Sequence, residues 1–184
     1  MTSSSTIATI AEPYAQALLS IAKGKDLAAK FGEDSATIRS TLAGSEDLVQ
    51  ALDNPFVAPD VKKEILQRVF GEAIDPYFAN FLKLLVDRKR VSLLDAICAK
   101  YQDLLRQLTN TALVKVTTAV ELTEAQRAAV IEKAIAMSGA AQVELEAAID
   151  ADILGGVIIQ VGSQTVDASL RGQLRRIALS LNAA

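Results

Sequence analysis

Residues 152–177, DILGGVIIQVGSQTVDASLRGQLRRI, begin as a buried strand and end as a basic helix. Val157, Ile159 and Val161 alternate onto one face, Gly162-Ser163 has the composition of a two-residue hairpin turn, and residues 164–166 read as the returning strand. Asp167 stands where a helix cap belongs. Leu170, Leu174, Ile177, Ala178 and Leu181 give the helix that follows an apolar face, with Arg171 and Arg175 four apart on another. A hairpin feeding straight into a helix excludes an all-helical chain.

Upstream of this stretch the pattern stays mixed. Residues 113–120 alternate with β-branched side chains, so Val114, Val116 and Val120 are expected on one face of a strand. Leu122-Thr123-Glu124 opens a helix carrying Ala129, Val130, Ile131, Ala134 and Ile135, and Ser138-Gly139 ends it. Val143, Leu145, Ala147 and Ile149 then alternate with Glu144, Glu146 and Asp150, the signature of a half-exposed strand.

Residues 7–108 have helical spacing throughout. Ile7, Ile10, Tyr14, Ala17, Leu18 and Ile21 recur at threes and fours, and Gly24 stands where the first helix should end. A second helix carries Leu27, Phe31, Ile38 and Leu42. A short third piece spans residues 48–52, and Asn54-Pro55 marks a turn. Asp60 is placed to cap a fourth helix with Val61, Ile65, Leu66, Val69 and Phe70 inward, closed by Gly71. Asp75-Pro76 is a cap followed by proline at the first helical position, where its missing N–H costs nothing, and Phe78, Phe81, Leu82 and Leu85 follow inward. The sixth helix lines up Leu94, Ile97, Tyr101, Leu104, Leu105 and Leu108. The fold expected is α+β: an N-terminal six-helix bundle over residues 1–108, then a smaller C-terminal α/β lobe over 109–184 with a mixed sheet and a terminal helix.

Composition narrows the function. The 184 residues carry a net charge of −3 and no histidine, with a single cysteine. Without histidine the commonest general base, the Ser/His and Cys/His nucleophile pairs and most zinc sites are gone. Cys98 has no partner for an internal disulfide and lies on a strongly periodic helix, so it reads as a small core residue. The acidic balance argues against a chain that wraps nucleic acid. No apolar run approaches the ~20 residues that span a bilayer, and the Ser/Thr-rich residues 2–6 read as a short loose tail without the regions of a secretion signal.

Each candidate site has competing readings. Gly155-Gly156 is followed by a strand, whereas a phosphate loop leads into a helix and needs a Lys-Ser/Thr pair, so a bulge or close backbone approach is the better reading. Glu144 and Glu146 project from one strand face, toward solvent, with nothing to complete a metal site. Arg171, Arg175 and Arg176 form the most basic patch. A nucleic-acid-binding regulator using this helix is the alternative, but residues 109–184 contain no Phe, Trp or Tyr for base stacking, so an acidic protein partner fits better. On the first helix the polar residues Glu12, Gln16, Ser20 and Lys23 fall on one narrow stripe, so the wide apolar remainder must be buried centrally or against a partner. Tyr77 and Leu84 stand off the core line of the fifth helix and form one wall of a candidate groove for an amphipathic helix.

Several local matches now point the same way. LGGVIIQVG followed by VDASLRGQL, PYAQAL at residues 13–18, DRKRVSLL at 87–94 and LTEAQ at 122–126 resemble the delta-subunit family of bacterial and chloroplast F-type ATP synthases, the counterpart of the mitochondrial oligomycin-sensitivity-conferring protein. The resemblance implies a non-catalytic stator subunit with no cofactor and no metal. It implies a groove between the first and fifth helices that receives the N-terminal helix of a catalytic-head alpha subunit, carried here by Tyr14, Ala17, Tyr77, Leu84 and Arg90. It also implies a C-terminal lobe that meets the b-type subunits of the peripheral stalk through the region holding Gly155, Gly156, Asp167, Arg171 and Arg175. Membrane association would be peripheral, through the complex, on the cytoplasmic or stromal face of a plasma or thylakoid membrane.

Overall fold

Short-range signals place most helix ends in the computed structural model, which describes residues 2–182. The chain divides into two compact units, Met1–Leu105 and Arg106–Ala184.

In the first unit α1 spans Thr2–Lys25, α2 Ala28–Gly44, α3 Glu46–Asp53, α4 Pro59–Phe70, α5 Pro76–Asp87 and α6 Leu94–Leu108, whose last turn is counted with the second unit; a 3-10 turn, Val91–Leu93, precedes α6. Residues 2–6, read as a loose tail, belong to α1. Ser45 caps α3 by accepting the Leu48 N–H, and Asp75 caps α5 by accepting the Tyr77 N–H at 2.8 Å, with Pro76 at the first helical position. Asp60 does not cap α4: Pro59 already occupies its first turn, so the cap position moves back to Ala58, and Asp60 sits in the first turn instead. An acid there still interacts favourably with the unpaired N–H groups of the helix start.

The core of this unit gathers Ala11, Ala15, Leu18 and Ala22 of α1 with Phe31 and Ile38 of α2, Phe78, Phe81, Leu82 and Leu85 of α5, and Ile97, Cys98 and Tyr101 of α6. Phe31 packs edge-on to Phe78, whose ring in turn meets Phe81 edge-on. The Tyr101 hydroxyl donates to the Ala28 carbonyl at 3.0 Å, which satisfies the one polar atom of the largest core ring. Two expectations fail. Val61 and Val69 lie at the surface of α4, where only Leu66 and Phe70 are buried. Ile7, Ala17 and Ile21 are exposed on α1, because the face that packs inward is formed by Ala11, Ala15, Leu18, Leu19 and Ala22.

Polar groups tie the helices together. The Asp34 carboxylate of α2 is enclosed, accepts the Asp75 N–H at 2.9 Å on one oxygen, and faces the Lys30 ammonium at 3.3 Å on the other. That carboxylate, by hydrogen bond and charge, raises the Lys30 pKa. Arg39 reaches Asp95 at 3.0 Å and Gln102 at 3.1 Å, bracing α2 against α6.

The second unit contains β1 Thr111–Thr118, α7 Glu124–Ser138, β2 Gln142–Ile149, a 3-10 turn Ala151–Ile153, β3 Val157–Val161, β4 Gln164–Asp167 and α8 Leu170–Asn182. The sheet order is β2-β1-β3-β4, parallel between β1 and β2 and antiparallel elsewhere, so it is mixed. Strand β1 is central. Its Val114 and Val116 face Val161 and Ile159 across the β3 pairing and are fully buried beneath Val130 and Ala134 of α7. Val120 lies beyond the strand end and is 72% exposed, against the expectation that it shares the buried face. Ala147 and Ile149 are likewise exposed near the end of the edge strand β2. Thr123 and Gln126 form a reciprocal capping box on α7, and Gly139 ends the helix in the left-handed conformation that glycine adopts without strain.

Candidate partner-binding surfaces

The first surface lies on the first unit. Along α1, Ile7, Ile10, Tyr14, Ala17 and Ile21 repeat at alternating threes and fours beside the buried alanine face, which makes them a second apolar stripe. Tyr14 is half-buried against the core, and Ile21 is 46% exposed. On α5, Tyr77 and Leu84 are 49% and 46% exposed, whereas their neighbours Phe78 and Leu85 are fully buried. Two cation–π contacts join α1 to α5 and to the segment just after it: the Lys25 ammonium stands 5.4 Å from the Tyr77 ring centre, and the Arg90 guanidinium 5.9 Å from that of Tyr14. The stripes therefore run side by side in opposite directions, flanked by a cation at each end. Of the residues singled out in the sequence, Tyr14 and Arg90 are in contact, Tyr77 and Leu84 are exposed two turns apart on α5, and Ala17 is exposed on the α1 stripe. Ile21, Ile7 and Lys25 extend the surface. The sequence signal for Ile7 and Ile21 is the unbroken three-and-four spacing, which is compatible with burial centrally or against a partner.

Well-capped ends hold this face in place. Arg90 follows Lys89, whose positive φ of 55° lets the chain turn back after α5, and the Arg90 N–H donates to the Leu85 carbonyl at 2.8 Å. Lys63 on α4 pairs with Asp87 in the last turn of α5. The Asp34–Asp75 bond fixes the other end of α5, next to Tyr77.

The second surface lies on the second unit, where the chain bends before β3. Leu154, Gly155 and Gly156 all have positive φ. A Cβ on Gly156 would stand 2.4 Å from the Ala168 carbonyl oxygen, so the approach of two backbones, and no phosphate, accounts for that glycine. A cavity of about 330 Å³ opens beside the bend, lined by Val120, Leu122, Ala129, Val130, Gly155 and Val157 among others.

Helix α8 starts at this bend. Asp167 is not its cap, contrary to expectation. Ser169 occupies the cap position: its hydroxyl accepts the Gly172 N–H at 3.0 Å, and its carbonyl accepts the Gln173 N–H. Asp167 stands behind it, accepting the Ser169 hydroxyl at 2.6 Å and the Ser169 N–H at 2.9 Å. These two hydrogen bonds, with the Arg176 charge, hold the Asp167 carboxyl below its usual range. Beyond the cap, Leu174 and Ile177 are 58% and 56% exposed, so the apolar face of α8 does not enter the core of its own unit. The side chain of Leu181 lies outside the described ones. Arg171 and Arg175 are exposed next to this stripe.

Elsewhere the acidic pairs are structural. Glu144 bonds Arg106 at 3.0 Å and Glu146 faces Lys115 at 3.8 Å. No cluster of metal-binding side chains occurs among the described residues, and no helix among them is long and apolar enough to cross a membrane. Cys98 is enclosed, and burial, reinforced by the Asp95 charge, pushes its thiol up to about 12.

Comparison with known proteins identifies the family. A family model described as "ATP synthase delta (OSCP) subunit" matches residues 10–181. "ATP synthase subunit delta" of Gloeothece citriformis is 51% identical over 181 residues, covering 98% of each chain. The protein of the same name from Synechococcus sp. PCC 6716 is 55% identical over 172 residues, covering 94% of each. A chain of the Toxoplasma gondii mitochondrial ATP synthase hexamer shares the fold, with a TM-score of 0.73 at 24% identity over 95% of this chain and 98% of that one. The chain belongs to the ATP synthase delta (OSCP) subunit family.

Proposed function

We propose that this chain ties the catalytic head of an F-type ATP synthase to its peripheral stalk, each of its two units holding one partner. As a delta-family member it is a non-catalytic subunit of the stator, the part of the complex that does not turn with the central shaft. The first unit acts as a six-helix bundle whose α1–α5 face receives the N-terminal helix of an alpha subunit. Tyr14, Ala17, Tyr77 and Leu84 supply apolar area, and Arg90 closes one end. The second unit meets the b-type stalk subunits through the bend at Gly155-Gly156 and through α8, with Arg171 and Arg175 facing acidic side chains. Through the complex, the chain sits peripherally on the cytoplasmic or stromal face of a plasma or thylakoid membrane.

The observation that carries this reading is the pair of exposed apolar stripes, one on each unit, in a chain of the delta family. A stator link transmits a sideways load, so it needs two grips. Apolar contact contributes about 25 cal/mol per Å² before association costs. Once one grip forms, the other closes at high effective concentration, so two moderate interfaces hold tightly. The arginines steer an acidic partner and set its orientation.

Affinity capture from solubilised membranes tests the assignment. The tagged chain should recover both alpha and b-type subunits, and recovery of neither overturns it.

A further inference from the structure

A helix packed along its length takes its direction from its neighbours. Helix α8 does not, because Leu170, Leu174 and Ile177, which recur at i, i+4 and i+7 on one side, are all about half exposed. What holds it is concentrated at its base. Ser169 is almost completely enclosed; its hydroxyl donates to Asp167 at 2.6 Å and accepts the Gly172 N–H at 3.0 Å, while its own N–H donates to Asp167 at 2.9 Å. The Leu170 N–H donates to the Gly155 carbonyl and the Ala168 N–H to that of Val157, both at 3.0 Å. Steric fit tightens the joint: a Cβ on Gly172 would stand 2.5 Å from Asp167 Oδ2, and one on Gly156 would stand 2.4 Å from the Ala168 oxygen.

We propose that Asp167 and Ser169, seated on the Gly155-Gly156 bend, are positioning residues. They fix the take-off direction of α8, so that its apolar stripe is presented already ordered to an acidic amphipathic helix of the stalk. The partner's charge follows from α8 itself, which carries Arg171, Arg175 and Arg176 and no acid. Continuity also favours one long partner, since Gly155 lines the cavity of the second unit and lies against Leu170. A pre-aimed helix loses little freedom on docking, whereas a swinging one must be ordered at that moment. This inference rests on the reading that the second unit docks the stalk.

The test uses the full chain. Spin labels at Thr165 and Leu179, both exposed and Leu179 on the side of α8 opposite the stripe, report the direction of α8 through the distance distribution between them. A soluble b-type stalk domain serves as the binding probe, and an alpha-subunit N-terminal peptide as the control ligand. The parent should give a narrow distribution. Asp167→Ala and Ser169→Ala should broaden it, with helical content kept, and should weaken stalk binding about tenfold while the alpha peptide binds unchanged. Asp167→Asn, which keeps the accepting oxygen, should restore most of both. A narrow distribution in both alanine variants overturns the positioning role, as does unchanged stalk affinity. Dimerisation of the chain through the Leu174 and Ile177 stripe overturns the choice of partner. If the parent binds no stalk domain, the underlying docking reading fails, whatever the spin labels show about α8, and the proposal falls with it.

Discussion

The guanidinium of Arg90 stands over the ring of Tyr14, 5.9 Å from its centre, and joins the segment just after α5 to the middle of α1. Both residues belong to the surface proposed to receive the alpha-subunit helix, and Tyr14 also packs against the core. Tyr14→Asp or Leu84→Asp should therefore weaken binding of an alpha-subunit N-terminal peptide. A central apolar anchor commonly carries about 2 kcal/mol, or roughly 30-fold in affinity. Arg90→Ala should cost less, about 0.5–1 kcal/mol, as for an exposed cation–π contact. Calorimetric titration with each variant measures the effect, and unchanged affinity for Leu84→Asp contradicts the groove.

The bond from the Asp75 N–H to Asp34 makes a separate prediction about stability. Asp34→Ala leaves that N–H without its acceptor and removes the partner of Lys30, so the first unit should lose about 1–3 kcal/mol in denaturant unfolding. Because the bond anchors the start of α5, the same variant should increase amide exchange at Tyr77. Loss of stability with no change at Tyr77 would show that the carboxylate does not hold the groove.

Cys98 offers a probe of the same unit. With the thiol enclosed and its pKa raised to about 12 from 9.0, the native chain should resist thiol reagents at pH 8 and react only through opening of the helices. The sign for stability is adverse in alkali: an unfolded thiol ionises first, so stability falls as pH rises from about 9 toward 12. Labelling kinetics across a denaturant series check this; fast labelling under native conditions contradicts a closed core.

Asp167 should couple the base of α8 to acid. Its folded pKa is lowered, first by the Ser169 hydroxyl and then by the Ser169 N–H, so the folded chain binds this proton less readily than the unfolded one. The stabilisation is complete above the unfolded pKa and is lost as pH falls through the folded value. The melting difference between the parent and Asp167→Asn should therefore be largest near neutral pH and shrink in acid. A difference that grows in acid contradicts the arrangement.

How much of this was legible in the sequence depends on the range of the signal. Caps and turns act over four residues: Asp75-Pro76, the helix opening at Leu122-Thr123-Glu124 and the turn at Gly162 stand where their chemistry placed them, whereas Asp60 and Asp167 are each displaced from the cap by a neighbouring residue. Burial acts over the whole unit. On α1, apolar on most sides, periodicity alone does not select the inward face, and the buried face is the one carrying Ala11, Ala15, Leu18, Leu19 and Ala22. Ile7 and Ile21 were left outside, where they extend the candidate site. Tyr77 and Leu84 were legible as surface because α5 has a strong core line from which they depart. At the start of α8 two capping residues stand two apart, and local sequence does not say which is the cap; the backbone approach at Gly156 decides for Ser169. The amphipathic pattern of α8 was plain, but such a pattern says only that one face will be covered, and here the chain's own second unit does not cover it.

The central claim is that one chain holds two partners through separate surfaces. Analytical ultracentrifugation of the full chain with an alpha-subunit N-terminal segment and a soluble b-type stalk domain tests it most directly. A ternary species containing all three should form, with Leu84→Asp removing only the alpha segment and a paired Leu174→Asp and Ile177→Asp variant removing only the stalk domain. Competition between the two partners, or loss of both from either variant, would contradict the account.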